Sequence, residues 1–182
     1  MFLDVSKAFD KVWHEGLFFK LKQLGIYGNV LHWIEDYLSN RSHKVVINGK
    51  CSNVKYTSAG VFQGSILGPL LFLVQISNID INIESDIKLF ADDTTLIKTL
   101  DNNDPFDILN NDLERLNKWS VQWRITFNPN KTEFMIFSNK VSHQIVYPAL
   151  YLNRVRLKEV DAHKHLGLIL SKAWCIWYNI MW

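Results

Sequence analysis

Four segments of the chain predict helices, and in the first and fourth of them apolar residues recur every three or four positions. The predicted helices cover residues 8–24, 29–38, 65–79 and 104–123. Gly25 is placed to end the first helix, because glycine readily adopts the left-handed conformation found after helices. The third is apolar enough to predict a largely buried helix. The fourth begins at Asp104-Pro105, where aspartate can cap and proline suits the first turn.

Other segments have the short or alternating apolar patterns that are typical of strands. The predicted strands cover residues 2–5, 44–47, 51–56, 87–91, 94–98, 132–137 and 165–170, with a further hairpin over residues 150–157. Asn48-Gly49 and Asn153-Arg154 are the predicted hairpin turns. Because strands and helices mix without strict alternation, the sequence predicts the α+β fold class.

Composition sets limits on the kind of protein. The chain has 182 residues, 48% of them hydrophobic, which is enough to bury a sizeable core. Its formal net charge of +2 gives only weak support to nucleic-acid binding, and its two cysteines form no CxxC pair that would suggest structural zinc. The N-terminus lacks a signal-peptide pattern, and the apolar run 66–76 is too short to cross a bilayer. We therefore expect an intracellular protein, in cytoplasm or nucleus, without a membrane segment.

Three carboxylates occupy unusual positions. Asp92 and Asp93 stand between two predicted strands, and Asp4 lies inside the predicted strand 2–5. Acids are common in turns because they bond local backbone donors, and a lone acid at a strand end can bond the start of a helix. Like charges beside buried strands are costly, however, unless a cation is present. If the strands lie side by side, the three carboxylates converge on a site that suits Mg²⁺ and phosphoryl or nucleotidyl transfer.

Five segments, in order along the chain, carry a resemblance to a known family. They are residues 2–12 (FLDVSKAFDKV), 60–69 (GVFQGSILGP), 90–93 (FADD), 128–133 (NPNKTE) and 165–167 (HLG). These segments resemble the successive palm motifs of reverse transcriptases, and especially those of non-LTR (LINE-like, jockey-type) retrotransposons. The resemblance covers residues 1–170 and implies a palm-like antiparallel sheet packed on helices. It leaves residues 171–182 as a divergent tail.

The resemblance also implies a chemistry for the carboxylates. Asp4 and Asp92 would be the metal ligands, with Asp93 the adjacent third acid, and two Mg²⁺ ions, or Mn²⁺ as a substitute, would be the cofactors. The implied reaction is RNA-directed DNA synthesis, in which deoxynucleotides are added to the 3′-hydroxyl of a DNA primer on an RNA template. Lys131 would match the lysine proposed to protonate the pyrophosphate leaving group, although a solvated lysine before a strand is the ordinary alternative.

Three further positions match residues of the family that face the substrate. Phe9 would match the bulky aromatic that crowds the 2′ position of the sugar and favours deoxynucleotides; the alternative is a core residue on a helix face. Gln63 and Gly64 would border the incoming nucleotide and template, where a missing side chain permits close backbone approach. The alternative for Gly64 is a simple loop glycine.

The sequence also departs from the family pattern. Phe62 stands where the family usually has proline, and residues 75–78 read QISN where it has Tyr-Ile-Asn-Asp. Asp4 comes three residues after the first methionine and the family pattern ends near Leu170, so we expect the fingers and thumb to be largely missing and substrate binding to be impaired. A non-catalytic remnant or a nucleic-acid-binding module is the alternative function. A phosphate-accepting receiver domain fits less well, because its acid pair precedes the single aspartate and its βα units alternate.

Overall fold

The computed structural model describes residues 1–100, 105–137 and 147–172, which fall into two compact units. The sheet unit comprises Met1–Ser6, Asp80–Trp119 and the described part of Phe127–Trp182. The helical unit comprises Lys7–Ile79 and Ser120–Thr126. The predicted cap Asp104 and most of the tail 171–182 lie outside the described residues.

The described residues form helices at all four predicted places. They are α1 His14–Gln23, α2 Gly28–Leu38, α3 Leu67–Ile76 and α4 Pro105–Gln122. The predicted start of the first helix was wrong, because Lys7 has a φ of 51° and the residues after it form turns instead. Gly25 has a φ of 83°, and it ends the helix as expected. The prediction of a largely buried third helix was also wrong, since Leu70 and Leu73 of α3 are exposed.

The strands are short. In chain order they are β1 Phe2–Leu3, β2 Ser42–His43, β3 Val46–Ile47, β4 Lys50–Cys51, β5 Lys55–Tyr56, β6 Asp86–Phe90, β7 Asp93–Ile97, β8 Glu133–Phe134, β9 Tyr151–Leu152, β10 Val155–Arg156, β11 Lys158–Glu159, β12 Ala162–His165 and β13 Leu168–Ser171. A mixture of helices with mainly antiparallel strands confirms the α+β class. In the part of the chain that the structure describes, no helix is long and apolar enough to cross a membrane.

A five-stranded sheet is the centre of the sheet unit, with the strand order β11-β8-β1-β7-β6. Neighbouring strands are antiparallel except for the parallel pair β8 and β11. Leu109, Leu113 and Leu116 follow one face of α4 and are buried, as their helical spacing predicts. The side chain of Asn110 fixes this helix to β9, because its amide donates to Ala149 O (3.2 Å) and its oxygen accepts from Tyr151 N (3.2 Å).

Two expectations about the sheet unit were wrong. Strand β6 is exposed along most of its length, because it is the edge of the sheet formed by the described residues, among which one of its long sides has no partner strand. Residues 165–170 do not form a single strand, since Leu166 and Gly167 adopt left-handed φ angles of 49° and 82° and turn the chain between β12 and β13.

The helical unit packs α1 against α2 and α3. Its core includes Leu17, Leu21, Leu31, Ile34, Leu38 and Phe72, all at most 5% exposed. Strands β3 and β4 form the predicted hairpin, in which Asn48 and Gly49 have φ angles of 49° and 75°. Two consecutive left-handed residues are the signature of the type I′ turn that Asn-Gly favours.

Candidate active site

Asp92 and Asp93 lie at the tip of the hairpin formed by β6 and β7. The two strands pair from Asp86 opposite Ile97 to Phe90 opposite Asp93, so Ala91 and Asp92 make the turn. Ala91 has a φ of 52°, in the left-handed region that turns of this kind require. Both aspartates are exposed. The hairpin therefore presents two adjacent carboxylates at the end of a sheet, as the sequence predicted.

The register of β1 brings Asp4 to the same end of the sheet. Phe2 pairs with Thr95 and Leu3 with Thr94. Asp4 is the next residue after β1, and Asp93 is the first residue of β7. Continuing this antiparallel register by one residue places Asp4 beside Asp93. β1 and the β6–β7 hairpin, which carry the acids, are thus neighbours within the sheet unit, as expected.

The carboxyl groups of Asp4, Asp92 and Asp93 have no hydrogen bond or ion pair with any residue that the structure describes. Asp4 is half-buried, and its neighbours across the strand end are exposed. Over residues 1–100, 105–137 and 147–172, no three His, Cys, Asp or Glu side chains already form a metal-binding cluster. The donor set still fits Mg²⁺ in kind, because this ion takes oxygen ligands and is usually held by one or two carboxylates together with substrate phosphates.

A turn from Asn128 to Thr132 holds the backbone of Asp4. The amide of Asp4 donates to Thr132 Oγ1 (3.3 Å), and Asp4 O accepts from the amide of Asn128 (2.8 Å). Thr132 is fully buried, and its hydroxyl also donates to Asn128 O (2.9 Å). From the sequence, Asn128 and Thr132 had no assigned role, and the signal available for them was their position inside the NPNKTE segment.

Lys131 lies in the same turn. Its backbone amide donates to Asn128 O (3.2 Å), and its side chain is exposed. The structure gives this ammonium group no hydrogen bond or ion pair with a described residue, so it does not join Lys131 to the three carboxylates. Both interpretations of Lys131, as an acid for a leaving group and as a solvated lysine, remain predictions.

Phe9, Gln63 and Gly64 belong to the helical unit. The Phe9 ring stacks on Phe72, with 5.0 Å between centroids, and Phe9 is half-buried. Gln63 Nε2 donates to Asp10 Oδ1 (3.4 Å), which brings the loop of Gln63 to the turn that follows Phe9. Gly64 has a φ of 83° and open space where a side chain would stand. Its conformation favours glycine, and the space leaves its backbone accessible.

Gly60 explains why these two segments of the helical unit meet. Its amide donates to Val12 O (2.8 Å), and the amide of Val61 donates to Phe9 O (2.8 Å). A Cβ on Gly60 would come within 2.7 Å of Asp10 O, so no larger residue fits without movement. From the sequence, Gly60 was placed in the segment 60–69 without a role of its own.

Comparison with known proteins identifies the family. The family described as "Reverse transcriptase (RNA-dependent DNA polymerase)" matches residues 1–170. The chain belongs to the reverse transcriptase family. Among curated reverse transcriptase relatives, the "RNA-directed DNA polymerase from mobile element jockey" of Drosophila funebris is 30% identical over 183 residues. The "Probable RNA-directed DNA polymerase from transposon BS" of Drosophila melanogaster is 32% identical over 183 residues.

These relatives confirm the predicted resemblance to jockey-type reverse transcriptases. Each alignment covers 94% of this chain, but the chain spans only about a fifth of the length of the relatives, 19% for the jockey protein and 20% for the BS protein. A more distant relative, "Retrovirus-related Pol polyprotein from type-1 retrotransposable element R2" of Popillia japonica, is 26% identical over 190 residues.

Proposed function

We propose that this chain is the palm region of a non-LTR retrotransposon reverse transcriptase and supplies the carboxylates for RNA-directed DNA synthesis. The observation that carries the proposal is the β1–β7 register, which brings Asp4 and Asp93 to the same end of the sheet. Their carboxyl groups have no partner among the residues that the structure describes. Membership of the reverse transcriptase family supports the same reaction. The substrates would be an RNA template, a DNA primer and deoxynucleoside triphosphates.

Asp4 and Asp92 would hold Mg²⁺, with Asp93 as the adjacent third acid. When bound, such ions activate the attacking hydroxyl and stabilise the leaving oxygen in a nucleotidyl transfer. The carboxylates contribute the negative charge that keeps cations at the strand end, and their mutual repulsion falls when a cation is present. The rigid pairing of β6, β1 and β7 fixes the backbone positions from which these side chains extend.

The remaining residues would act on the substrate itself. In the reaction the primer 3′-oxygen forms a bond to the α-phosphorus while the bond to pyrophosphate breaks. Lys131 Nζ would donate a proton to the departing pyrophosphate, as its exposed position allows. Phe9 would limit space at the sugar 2′ position, with Phe72 supporting its ring. Gln63 and the open backbone of Gly64 would border the nucleotide and template.

Primer extension on an RNA template with purified chain, Mg²⁺ and deoxynucleotides tests this function. We expect Asp4→Asn and Asp92→Asn to abolish extension, because each removes a proposed metal ligand. Asp86→Asn is the matched control, since Asp86 is an exposed aspartate at the opposite end of the same hairpin. It should leave extension unchanged.

Two results would contradict the proposal. One is Mn²⁺ binding by the folded native chain that does not depend on Asp4, and the other is extension that survives Asp92→Asn. Slow extension by the native chain would agree with the expected impairment of substrate binding. RNA binding that needs no metal and is unaffected by Asp92→Asn would instead favour the nucleic-acid-binding alternative.

A further inference from the structure

The backbone of Asp4 is closed into a ring of three hydrogen bonds. Asp4 N donates to Thr132 Oγ1 (3.3 Å), Thr132 Oγ1 donates to Asn128 O (2.9 Å), and Asn128 N donates to Asp4 O (2.8 Å). Phe2 and Leu3 pair with β7 and β8, and Val5 forms an isolated antiparallel bridge with Phe127, to which the bond from Asn128 N to Asp4 O belongs. Between these pairings, the Asp4 amide bonds the Thr132 side chain rather than a strand partner.

The turn itself is built to hold one conformation. Asn128 Oδ1 accepts from the amide of Asn130 (3.1 Å), and Asn128 O accepts from the amides of Lys131 (3.2 Å) and Thr132 (3.0 Å). An asparagine that bonds the backbone two residues ahead stabilises a turn locally. Thr132 is fully buried, and a β-branched side chain has few χ1 rotamers. The orientation of its hydroxyl is therefore restricted.

We propose that Thr132 is a positioning residue for Asp4, with Asn128 as the residue that shapes the turn around it. This rests on the proposed function in one respect, namely that Asp4 binds a metal ion. Asp4 lies between the last paired residue of β1 and the bridge at Val5, and its amide bonds the Thr132 hydroxyl instead of a strand partner. The Thr132 hydroxyl therefore helps to set the direction in which the carboxylate leaves the backbone.

Two substitutions at one position separate this role from packing. Thr132→Val keeps the shape but removes the hydroxyl, which leaves the half-buried Asp4 amide without its acceptor. Thr132→Ser keeps the hydroxyl and removes only a methyl group. A role in packing predicts that serine is the more harmful change, because it leaves a small void. A role in positioning predicts that valine is the more harmful one.

The measurement is the affinity of the chain for Mn²⁺ by isothermal titration, with urea unfolding of each variant alongside. We expect Thr132→Val to weaken Mn²⁺ binding about tenfold or more, the usual effect of removing a group that orients a metal ligand. Thr132→Ser should stay within about threefold of the native chain, whereas Asp4→Asn should remove the binding that depends on Asp4. Leu116→Ala is the control for destabilisation, because it shortens a fully buried side chain of α4 and leaves the turn 128–132 unchanged.

Asn128→Ala provides a second variant in case Thr132→Val does not fold. It removes the acceptor for the Asn130 amide at a half-buried position, while the buried hydroxyl stays. We expect Mn²⁺ affinity to fall several-fold in Asn128→Ala and to be retained in Asn128→Asp, which keeps an acceptor oxygen.

The outcomes distinguish this proposal from the proposed function. If Mn²⁺ binding depends on Asp4 but is unchanged in both Thr132→Val and Asn128→Ala, the positioning role is overturned and the metal site stands. If Mn²⁺ binding by the native chain does not depend on Asp4, the positioning role of Thr132 and the proposed metal site are both wrong. An equal loss in Leu116→Ala and Thr132→Val would also overturn the positioning role, because general destabilisation would then explain both.

Discussion

Lys20 should make the stability of the chain depend on pH. It is a residue of α1 that is only 3% exposed, although lysine is almost always at the surface. Its ammonium group donates to Gln75 O and Asn78 Oδ1 near the end of α3, and it lies 3.8 Å from the centroid of the Trp123 ring. Burial lowers the pKa of Lys20 from 10.5 to about 7, because the charged form is poorly solvated there.

The direction of the effect follows from where the proton is held. Between pH 7 and pH 10.5, Lys20 is protonated in the unfolded chain and mostly neutral in the folded one, so unfolding takes up a proton. Raising the pH through this window therefore increases the free energy of unfolding. Each pH unit adds about 1.4 kcal/mol at most to the free energy of unfolding. Between pH values of about 7.5 and 9.5, this free energy increases by about 2–3 kcal/mol.

Urea unfolding at these two pH values, with a reductant to protect the exposed Cys51, measures the effect. The difference in stability between the native chain and Lys20→Met isolates the contribution of this one group, because all other titrations are shared. We expect that difference to change by about 2–3 kcal/mol between the two pH values, in favour of the native chain at the higher pH. Lys22→Met, an exposed lysine of the same helix, should follow the native chain. Parallel pH dependence for the native chain and Lys20→Met would refute the reasoning, since Lys20 would then stay charged in the fold.

Two further predictions concern α4. Leu116→Ala removes a fully buried side chain and should lower the free energy of unfolding by about 2–5 kcal/mol, whereas Val121→Ala, at a position 73% exposed, should change it by less than about 0.5 kcal/mol; equal urea midpoints for the two variants would contradict this. Asp112 is fully buried, and its carboxylate accepts the backbone N–H groups of Glu84 and Ser85, just before β6, at 3.0 and 2.9 Å. Asp112→Asn replaces one of the two acceptor oxygens and should lower the free energy of unfolding by about 1–3 kcal/mol, measured by thermal unfolding. The exposed Asp107→Asn is its control, and an unchanged melting temperature for Asp112→Asn would show that these bonds contribute little.

The turns were predictable from the sequence because their chemistry is local. Asn48-Gly49 and Asn153-Arg154 adopt left-handed φ angles where the sequence placed hairpin turns. Asparagine and glycine tolerate this conformation better than other residues, so Asn48, Gly49 and Asn153 carry the information in their own chemistry, whereas Arg154 does not. The same is true of the helical spacing in α4, whose buried face follows the apolar positions.

Features that depend on distant partners were not predictable in this way. The apolar residues of β6 suggested a buried strand, but burial depends on whether another strand or helix covers it, and β6 is an edge. The start of α1 was misplaced for a related reason. Residues 8–12 have helical spacing, yet Phe9 and Val12 accept hydrogen bonds from Val61 and Gly60, about fifty residues later in the chain.

The candidate site combines both kinds of information. Asp4, Asp92 and Asp93 could be chosen from the sequence, because charges within apolar segments need an explanation that local structure does not give. Within the NPNKTE segment, however, the resemblance gave the role to Lys131, whose side chain is exposed, while Thr132 beside it is the buried residue that bonds Asp4 across 128 positions of sequence. A buried hydroxyl that both donates and accepts fixes geometry far more strictly than an exposed ammonium on a flexible stem. In the proposed function the two neighbours would therefore have different tasks: Lys131 would reach the substrate, and Thr132 would keep the carboxylate of Asp4 in the position where it binds the metal ion.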